Sequence, residues 1–443
     1  MLRKICKIFL ILATFAILAL SLTSCLEFSF SDFISDLTPT DDTGKCTSHV
    51  YSEWVYSEGF HCHLGGSRTR TCTECGIEKY QEVAKKSTHD PNEEGYCKIC
   101  GALNGLDLAL NSAGTEYTVA TFWGTAADIV LPSTYNGLPI TRIGENSFGK
   151  SPMKSIVIPD SVKRIEESAF HTCLELETVT IGNGVTTIVD NAFQNCPKLQ
   201  KVVMGDSVTE IGNSVFFGCT ELSDITISKN IKRIGNNLFN GCASLTEFSI
   251  PDGVTSIGTY AFASCVLLES VYIPDSVTNI GTFAFSGCKV LTDVKLPSGL
   301  KQLSANAFYK CSSLAGITIP ESLTTIGHYA FAECTMLYEV NLPSSVTTLG
   351  VYAFSDCTNL KNVTLSNGLS SISIKAFANC TSLDSITIPN SVHRICASAF
   401  EGCTALETVC YAGGESAFQM SVWVEENNEP ISNADIVDIP NGK

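Results

Sequence analysis

Between Lys154 and Leu406, apolar side chains recur in one order every 23 residues without an insertion, which gives eleven repeats. Positions 1 to 5 of each repeat alternate polar and apolar, as in Glu-Ser-Val-Tyr-Ile from Glu269, and this alternation predicts a short half-buried strand. Proline or a small polar residue then predicts a turn. A second apolar pair follows at positions 9 and 12, and the glycine common at position 13 predicts a bend. The last part, Ala-Phe-x-x-Cys-x-x-Leu, has the spacing of a short helical turn with Phe, Cys and Leu inside.

A fixed period in the twenties predicts a solenoid, in which each repeat stacks on the next and atypical repeats cap the ends. We assign residues 105–153 to an N-terminal cap with a first irregular repeat, residues 154–406 to the eleven regular repeats, and residues 407–443 to a C-terminal cap and tail. The strands would form a parallel sheet of about 55 Å along its arc, at about 4.8 Å per strand. One phenylalanine per repeat, from Phe170 to Phe400, would form a continuous internal spine.

The repeated pattern L-x-x-I-x-I-P-x-S-V-x-x-I-G-x-x-A-F-x-x-C resembles the BspA-type leucine-rich repeats of bacterial surface proteins, over roughly residues 107–437. The resemblance implies a right-handed leucine-rich-repeat arc, with a parallel β-sheet on one face and short turns or helical segments on the other. Such proteins are associated with adhesion to host matrix proteins or to other cells, so an adhesin-like role is implied. Five residues depart from the pattern by replacing the bend glycine: Glu166, Val189, Ser304, Ser373 and Cys396.

The N-terminal residues 1–24 begin with basic side chains and continue into an apolar run that is short for a membrane span, which is typical of an export signal. The sequence Leu22-Thr23-Ser24-Cys25 resembles the lipobox of bacterial lipoproteins. That resemblance implies that Cys25 is lipidated and becomes the mature N-terminus, anchoring the exported chain to a membrane at the bacterial cell surface. An ordinary cleaved signal is the alternative. Residues 25–45 are acidic and rich in Ser, Thr and Asp, and we interpret them as a flexible tether.

Residues 46–104 form a small segment rich in cysteine and histidine, including two C-x-x-C-G turns. The segment resembles short zinc-ribbon-like modules of bacterial surface proteins, and paired thiolates with histidines suit tetrahedral zinc. One partition places two structural zinc ions, the first held by His49, Cys62, Cys72 and Cys75, and the second by Cys46, His89, Cys97 and Cys100. Disulfide bonding is the alternative, because the chain is exported and the cysteines of this segment are even in number. The zinc ions or the disulfides would have a structural role, since so short a segment lacks a core of its own.

Composition narrows the classes of function. The 443 residues are 44% hydrophobic, enough for a large core, and the formal net charge of −17 argues against a nucleic-acid partner. The sequence contains no phosphate-binding glycine loop and no G-x-S-x-G motif, so we predict neither an enzyme nor a small-molecule substrate.

The eleven repeated cysteines have four candidate roles: metal ligands, a nucleophile, disulfide halves between repeats, and small buried hydrophobic residues. A nucleophile is excluded because an active site needs one activated thiol, not an equivalent thiol in every repeat. Metal binding is disfavoured because paired ligand spacing does not recur, and disulfides are disfavoured because an odd number of cysteines leaves one unpaired. We therefore favour free buried thiols. Cys396 and Cys410 lie outside this pattern and are candidates for exposed thiols.

Strand positions 2 and 4 should face solvent, and in the middle repeats they combine an aromatic, a lysine and several acids. We predict a ligand-binding face there; the alternative is a merely soluble sheet face. Its candidate residues are Asp224, Glu247, Tyr272, Asp293, Lys295, Glu339 and Asn341. A second stripe at position 15, formed by Tyr260, Phe283, Tyr329 and Tyr352, is interpreted as packing between repeats.

Together these features predict an exported, lipid-anchored surface protein that binds a protein or glycan ligand, with host matrix and other cells as candidate partners. The alternative is a scaffold within the bacterium's own envelope.

Overall fold

The computed structural model describes residues 55–56, 66–71, 78–83, 105–411 and 414–438. The chain divides into two compact units, residues 1–105 and 106–443. In the N-terminal unit three strands form an antiparallel sheet in chain order: β1 (Val55–Tyr56), β2 (Gly66–Thr71) and β3 (Glu78–Val83).

The second unit opens with an antiparallel hairpin of β4 (Leu106–Leu110) and β5 (Tyr117–Phe122), and β5 pairs in parallel with β8 (Leu138–Ile143) of the same cap. Its apolar side chains Val119, Ile140 and Ile143 are fully buried, so the cap closes the end of the core. The strands of this cap are β4 (Leu106–Leu110), β5 (Tyr117–Phe122), β6 (Asp128–Val130), β7 (Thr134–Tyr135) and β8 (Leu138–Ile143).

Most repeats contribute two strands, a longer one near positions 2–5 and a two-residue one at positions 11–12. In repeats 1 to 4 they are β9 (Ser155–Ile158), β10 (Arg164–Ile165), β11 (Thr178–Ile181), β12 (Thr187–Ile188), β13 (Lys201–Met204), β14 (Glu210–Ile211), β15 (Asp224–Thr226) and β16 (Arg233–Ile234).

In repeats 7 and 8 the first strand is reduced to isolated bridges. The strands of repeats 5 to 11 are β17 (Glu247–Ser249), β18 (Ser256–Ile257), β19 (Ser270–Tyr272), β20 (Asn279–Ile280), β21 (Gln302–Leu303), β22 (Thr325–Ile326), β23 (Glu339–Asn341), β24 (Thr348–Leu349), β25 (Asn362–Thr364), β26 (Ser371–Ile372), β27 (Ser385–Thr387) and β28 (Arg394–Ile395).

Two parallel sheets therefore run along the solenoid. Sheet A contains the longer strands and sheet B the two-residue strands, and both pair residues 23 apart, as Thr178 with Lys201 and Thr187 with Glu210. The repeat solenoid and its parallel sheet A are confirmed. Sheet B was not predicted. It forms because position 12 carries an inward Ile or Leu, while position 11 faces solvent.

The Ala-Phe-x-x-Cys segment is a row of turns, which we call the turn ladder (positions 14–20 of each repeat). Positions 15 and 19 adopt left-handed backbone conformations, as at Ser168 (φ 56) and Thr172 (φ 59), and these interrupt any helix. The amides of positions 15, 17 and 19 donate to the next repeat, for example Phe170 to the carbonyl of Ala192 at 2.7 Å. We expected either short turns or helical segments on this face, and the structure has turns.

Glycine at position 13 serves close approach, and its φ is not left-handed. A Cβ on Gly281 would lie 2.6 Å from the backbone carbon of Gly258 in the preceding repeat. The predicted bend is therefore better described as a place where two backbones touch.

The core carries two ladders. The phenylalanine rings from Phe148 to Phe400 are fully buried and stack from repeat to repeat, as Phe170 on Phe193 at 4.8 Å between ring centroids. Each ladder cysteine is free, buried and donates its thiol hydrogen to the phenylalanine carbonyl of the preceding repeat, as Cys265 to Phe239 at 3.2 Å. The predicted free buried thiols are present, and their hydrogen bond is an additional role: it satisfies a buried carbonyl group.

A C-terminal cap ends the array and extends both sheets. Its elements are β29 (Thr408–Tyr411), α1 (Gly414–Ser421), β30 (Trp423–Val424), α2 (Glu429–Asn433) and β31 (Asp435–Asp438). The buried side chain of Asn428 completes the turn ladder, because it accepts from the Phe400 amide at 3.0 Å and donates to the Cys396 carbonyl at 2.9 Å. The Phe400 amide is the group that a further repeat would otherwise satisfy, as Ala399 does for Phe377.

Candidate binding surface

The predicted ligand-binding face lies on the outside of sheet A. All seven candidate residues are exposed there, because strand positions 2 and 4 alternate with the buried positions 3 and 5. From Asp224 to Asn341 the face crosses five repeat intervals, or about 24 Å at about 4.8 Å each. Tyr272 is its largest apolar group, with 54% of the residue exposed.

Several of these side chains already have weak partners. The Tyr272 hydroxyl donates to Asp252 at 3.2 Å, and that carboxylate raises the pKa of the tyrosine. Asp224 forms an ion pair with Lys201 at 2.5 Å, and both side chains are about half exposed. Exposed pairs of this kind contribute about 0–1 kcal/mol, so a partner can replace them at little cost.

Sheet A is interrupted beside this face. No strand pairing joins β15 to β17 within residues 105–411. The amide of Asp224 donates to the Gln200 carbonyl of the preceding repeat at 3.0 Å, whereas Glu247 at the same position has no such bond. Sheet B is interrupted one interval earlier, between β14 and β16. The turn ladder continues, since the Phe239 amide donates to Ala261 at 2.8 Å, so the two repeats separate on one side only.

Phe248 explains the separation. It occupies position 3 of repeat 5, where the other ten repeats carry Val or Ile. Its ring packs against the edges of the spine rings of Phe239 and Phe262, with centroids at 4.9 and 5.2 Å, and those two rings stack on each other at 5.3 Å with a 23° tilt. Extra volume in a close-packed core displaces the surrounding backbone, so the larger side chain acts as a wedge.

The separation opens a cleft of about 1140 Å³ between repeats 4 and 5. Ile225 and Ile227 line it and are only half-buried, although the equivalent Ile156 and Ile158 are each 1% exposed. Tyr272 stands at the same cleft. The arrangement combines an apolar floor with unpaired strand edges, and both favour the docking of another polypeptide.

A smaller cleft of about 580 Å³ lies at the interruption of sheet B. Its lining includes the basic Arg164, Lys232 and Arg233 together with the acidic Asp190 and Glu210. Because its lining carries charges of both signs, it is a weaker docking candidate.

The ladder thiols are unsuited to catalysis. Burial raises the pKa of Cys288 to about 12, and burial likewise raises the pKa of Cys242 and Cys265. A thiol that stays protonated is a poor nucleophile. Cys396 and Cys410 are half-buried, and burial together with the charge of Glu425 raises the pKa of Cys396.

The position-15 stripe forms two stacked pairs on the turn ladder. Tyr260 lies 4.7 Å from Phe283 and Tyr329 lies 4.6 Å from Tyr352, between ring centroids. This contact agrees with the packing interpretation, but it does not account for the choice of residue. Stacking stabilises a pair by about 0.5–1.5 kcal/mol. Left-handed backbone at bulky residues costs about 1–2 kcal/mol each, and all four residues are left-handed.

The other predicted sites cannot be placed. The signal and Cys25, and the metal candidates Cys46, His49, Cys62, Cys72, Cys75, His89, Cys97 and Cys100, lie outside the described residues. In the part of the chain that is described, no group of three or more Cys, His, Asp or Glu side chains is arranged to hold a metal ion. No helix in that part is long and apolar enough to cross a membrane.

The BspA-type leucine-rich-repeat region is the family whose model matches this chain, in six copies over residues 141–268, 255–373 and 329–432. These stretches cover about two thirds of the sequence. The chain belongs to the BspA-type leucine-rich-repeat family. The resemblance in the sequence is thus confirmed, and members of this family are typically bacterial cell-surface proteins with a binding role.

Solved structures similar to this chain include a leucine-rich cell surface protein of Faecalibacterium prausnitzii, at 28% identity over 75% of this chain and 97% of the other, with a TM-score of 0.49. A leucine-rich-repeat protein of Bacteroides ovatus is 24% identical over 73% of this chain and 99% of the other, also with a TM-score of 0.49. A leucine-rich-repeat protein of T. pallidum is 28% identical over 43% of this chain and 89% of the other, with a TM-score of 0.41. No curated protein matches the chain.

Sequence reasoning missed the cleft and its residues Ile225, Ile227 and Phe248. The available signal was the phenylalanine at position 3, which is the one aromatic in a column of Val and Ile. It fits the apolar pattern, so periodicity alone did not single it out.

Proposed function

We propose that this chain is a lipid-anchored bacterial surface protein that binds a protein ligand through the exposed face of sheet A, centred on Tyr272 and the adjacent cleft. One observation carries the proposal: an exposed tyrosine stands beside half-buried isoleucines where sheet A is interrupted. Leucine-rich-repeat proteins generally bind proteins and are generally not enzymes.

The chemistry of the face favours a partner with an extended segment, an apolar side chain and basic flanks. The apolar side chain would enter the cleft between Ile225 and Tyr272 as an anchor. Backbone groups of the segment would pair with the free strand edges. Glu247 and Asp293 have no side-chain partner among the described residues, and they would attract basic groups.

An adhesin-like role toward host matrix or another cell follows from this proposal, with Cys25 as the membrane anchor. A scaffold role in the bacterium's own envelope is the second candidate, because the same face would serve a partner from the same cell.

Binding of the full chain to collagen, fibronectin and an envelope extract of its own cell tests the proposal. We expect saturable binding to one of these, and the Tyr272→Ala, Lys295→Ala variant should bind about tenfold or more weakly, as expected when an anchor residue is lost. Trp423→Ala is the matched control, since Trp423 is 70% exposed but lies in the C-terminal cap. Equal binding by the parent and the double variant would contradict the proposal, and preference for the envelope extract would favour the scaffold role.

A further inference from the structure

Position 15 of every repeat is left-handed, with φ between 53° and 61°. Six repeats carry Ser or Asn there, residues that tolerate this conformation. One carries Lys375, and four carry the aromatic residues Tyr260, Phe283, Tyr329 and Tyr352, which do not. Because the turn itself does not require aromatic rings, bulky residues held in this conformation point to a function of their side chains.

The two stacked pairs are separated by one repeat. Asn306 occupies position 15 of repeat 7, directly between Phe283 in repeat 6 and Tyr329 in repeat 8. Asparagine is much shorter than either ring, so we infer an opening between the outer parts of the two rings. We call this opening the aromatic slot (Phe283, Asn306, Tyr309, Tyr329). Its walls are two repeats apart, or about 9–10 Å at about 4.8 Å per repeat.

A six-membered ring fits this width. Placed midway, it would lie about 4.5–5 Å from each wall, the spacing that offset aromatic rings prefer. The pairs on either side already adopt it, at 4.7 and 4.6 Å. The slot is open to solvent, since Tyr329 is 36% exposed and Phe283 and Asn306 are half-buried.

The floor and rim are polar. The Asn306 carboxamide has no side-chain hydrogen bond among the described residues and offers both a donor and an acceptor. Tyr309 borders the slot, with its ring edge-on to Tyr329 at 6.4 Å and its hydroxyl donating to Glu333 at 2.7 Å. The Lys310 ammonium lies 4.9 Å from the Tyr309 ring and 3.5 Å from Glu333.

We propose that the aromatic slot is a carbohydrate subsite that holds one neutral pyranose ring between Phe283 and Tyr329. The C–H groups on the two faces of a pyranose pack against the electron-rich aromatic faces. Its hydroxyl groups at the ring edge match the Asn306 carboxamide and the Tyr309–Glu333 pair. A phenylalanine side chain of a peptide would contact both walls but leave the Asn306 carboxamide without a partner. The subsite lies on the turn ladder, so it is independent of the proposed protein-binding face on sheet A.

Saturation-transfer NMR with the full chain tests the subsite, using methyl glycosides of glucose, galactose, mannose and N-acetylglucosamine together with their oligosaccharides as probes. We expect saturation of the ring protons of at least one sugar. The Phe283→Ser, Tyr329→Asn variant, which carries residues found at position 15 of other repeats, should lower the affinity by about tenfold or more.

The decisive variant is Asn306→Tyr, which blocks the slot without removing its walls. It should fold, because Tyr329 and Tyr352 adopt the same backbone at φ 55 and 60, and it should abolish sugar binding. Tyr260→Asn, which leaves both facing rings in place, and Tyr272→Ala on sheet A should bind sugar as the parent does. Absence of binding to every sugar, retained binding by Asn306→Tyr, or displacement of sugar by a phenylalanine amide at lower concentration would each overturn the proposal.

Discussion

Replacing Phe248 with valine should close the interruption of sheet A. The change gives repeat 5 the residue that repeats 2, 3 and 6 carry at position 3. Removing the ring that packs beside Phe239 and Phe262 allows β17 to approach β15, as β13 does in pairing three residues with β15.

The energetic terms nearly cancel. Losing the buried ring costs about 2–4 kcal/mol, somewhat less than full truncation of a buried phenylalanine. About three new hydrogen bonds return about 0.5–1.5 kcal/mol each, and Ile225 and Ile227 become buried again. We therefore expect the free energy of unfolding to change by no more than about 1–2 kcal/mol. Phe262→Val is the control, because that spine residue has nothing to regain and should lose about 2–4 kcal/mol.

Amide hydrogen exchange measures the closure directly. In Phe248→Val the amides of Glu247 and Ser249 should exchange about tenfold or more slowly than in the parent, because they gain partners in the ladder. Denaturant unfolding compares the two variants. Unchanged exchange at Glu247, or a loss of stability equal to that of Phe262→Val, would refute the claim that the Phe248 side chain separates repeats 4 and 5.

Three further predictions concern the position-13 glycine, the core and the N-terminal segment. Gly281→Ala should destabilise the protein by about 1–3 kcal/mol, because its Cβ would lie 2.6 Å from the Gly258 backbone. Gly299→Ala is the control: a Cβ there meets nothing within 4 Å, so its melting temperature should be close to that of the parent. Raising the pH from 9 toward 12 should lower the stability of the protein. The thiols of the unfolded chain ionise in this range, whereas the buried Cys288, with its pKa raised to about 12, stays protonated. A melting temperature that does not change with pH, in both the parent and Cys288→Ala, would contradict this. Metal analysis of the full chain purified without reductant should find about two zinc ions, whereas no zinc together with no free thiols in residues 46–104 would favour disulfides.

The periodic part of the fold was predictable because each repeat buries the same columns. Phe170 and Cys173 recur at fixed positions, and that repetition identifies the interior without any structure. Sheet B was not predictable, because its strands, such as Arg164–Ile165, are only two residues long. A strand of that length gives no periodic signal in the sequence. The left-handed backbone at position 15 was not predictable either, since Tyr260 and Phe283 are not residues expected in that conformation.

The candidate face was predictable for a similar reason. Alternation placed Tyr272 and Glu247 outside, and the structure places them there. The cleft was not predictable, because it depends on how one larger side chain, Phe248, displaces its neighbours. The aromatic slot depends on the small residue Asn306 between two rings, and its function stays a proposal until it is tested.

Hydrogen exchange of the bound complex tests the central claim most directly. With the matrix or envelope protein that binds the chain, we expect new protection at residues 224–227 and 247–252, beside Tyr272, because a partner segment would pair with the free edges of β15 and β17. Residues 385–387, on the same face of sheet A in repeat 11, should not change. Protection confined to other parts of the solenoid, with the cleft exchanging as in the free protein, would contradict the proposed binding face.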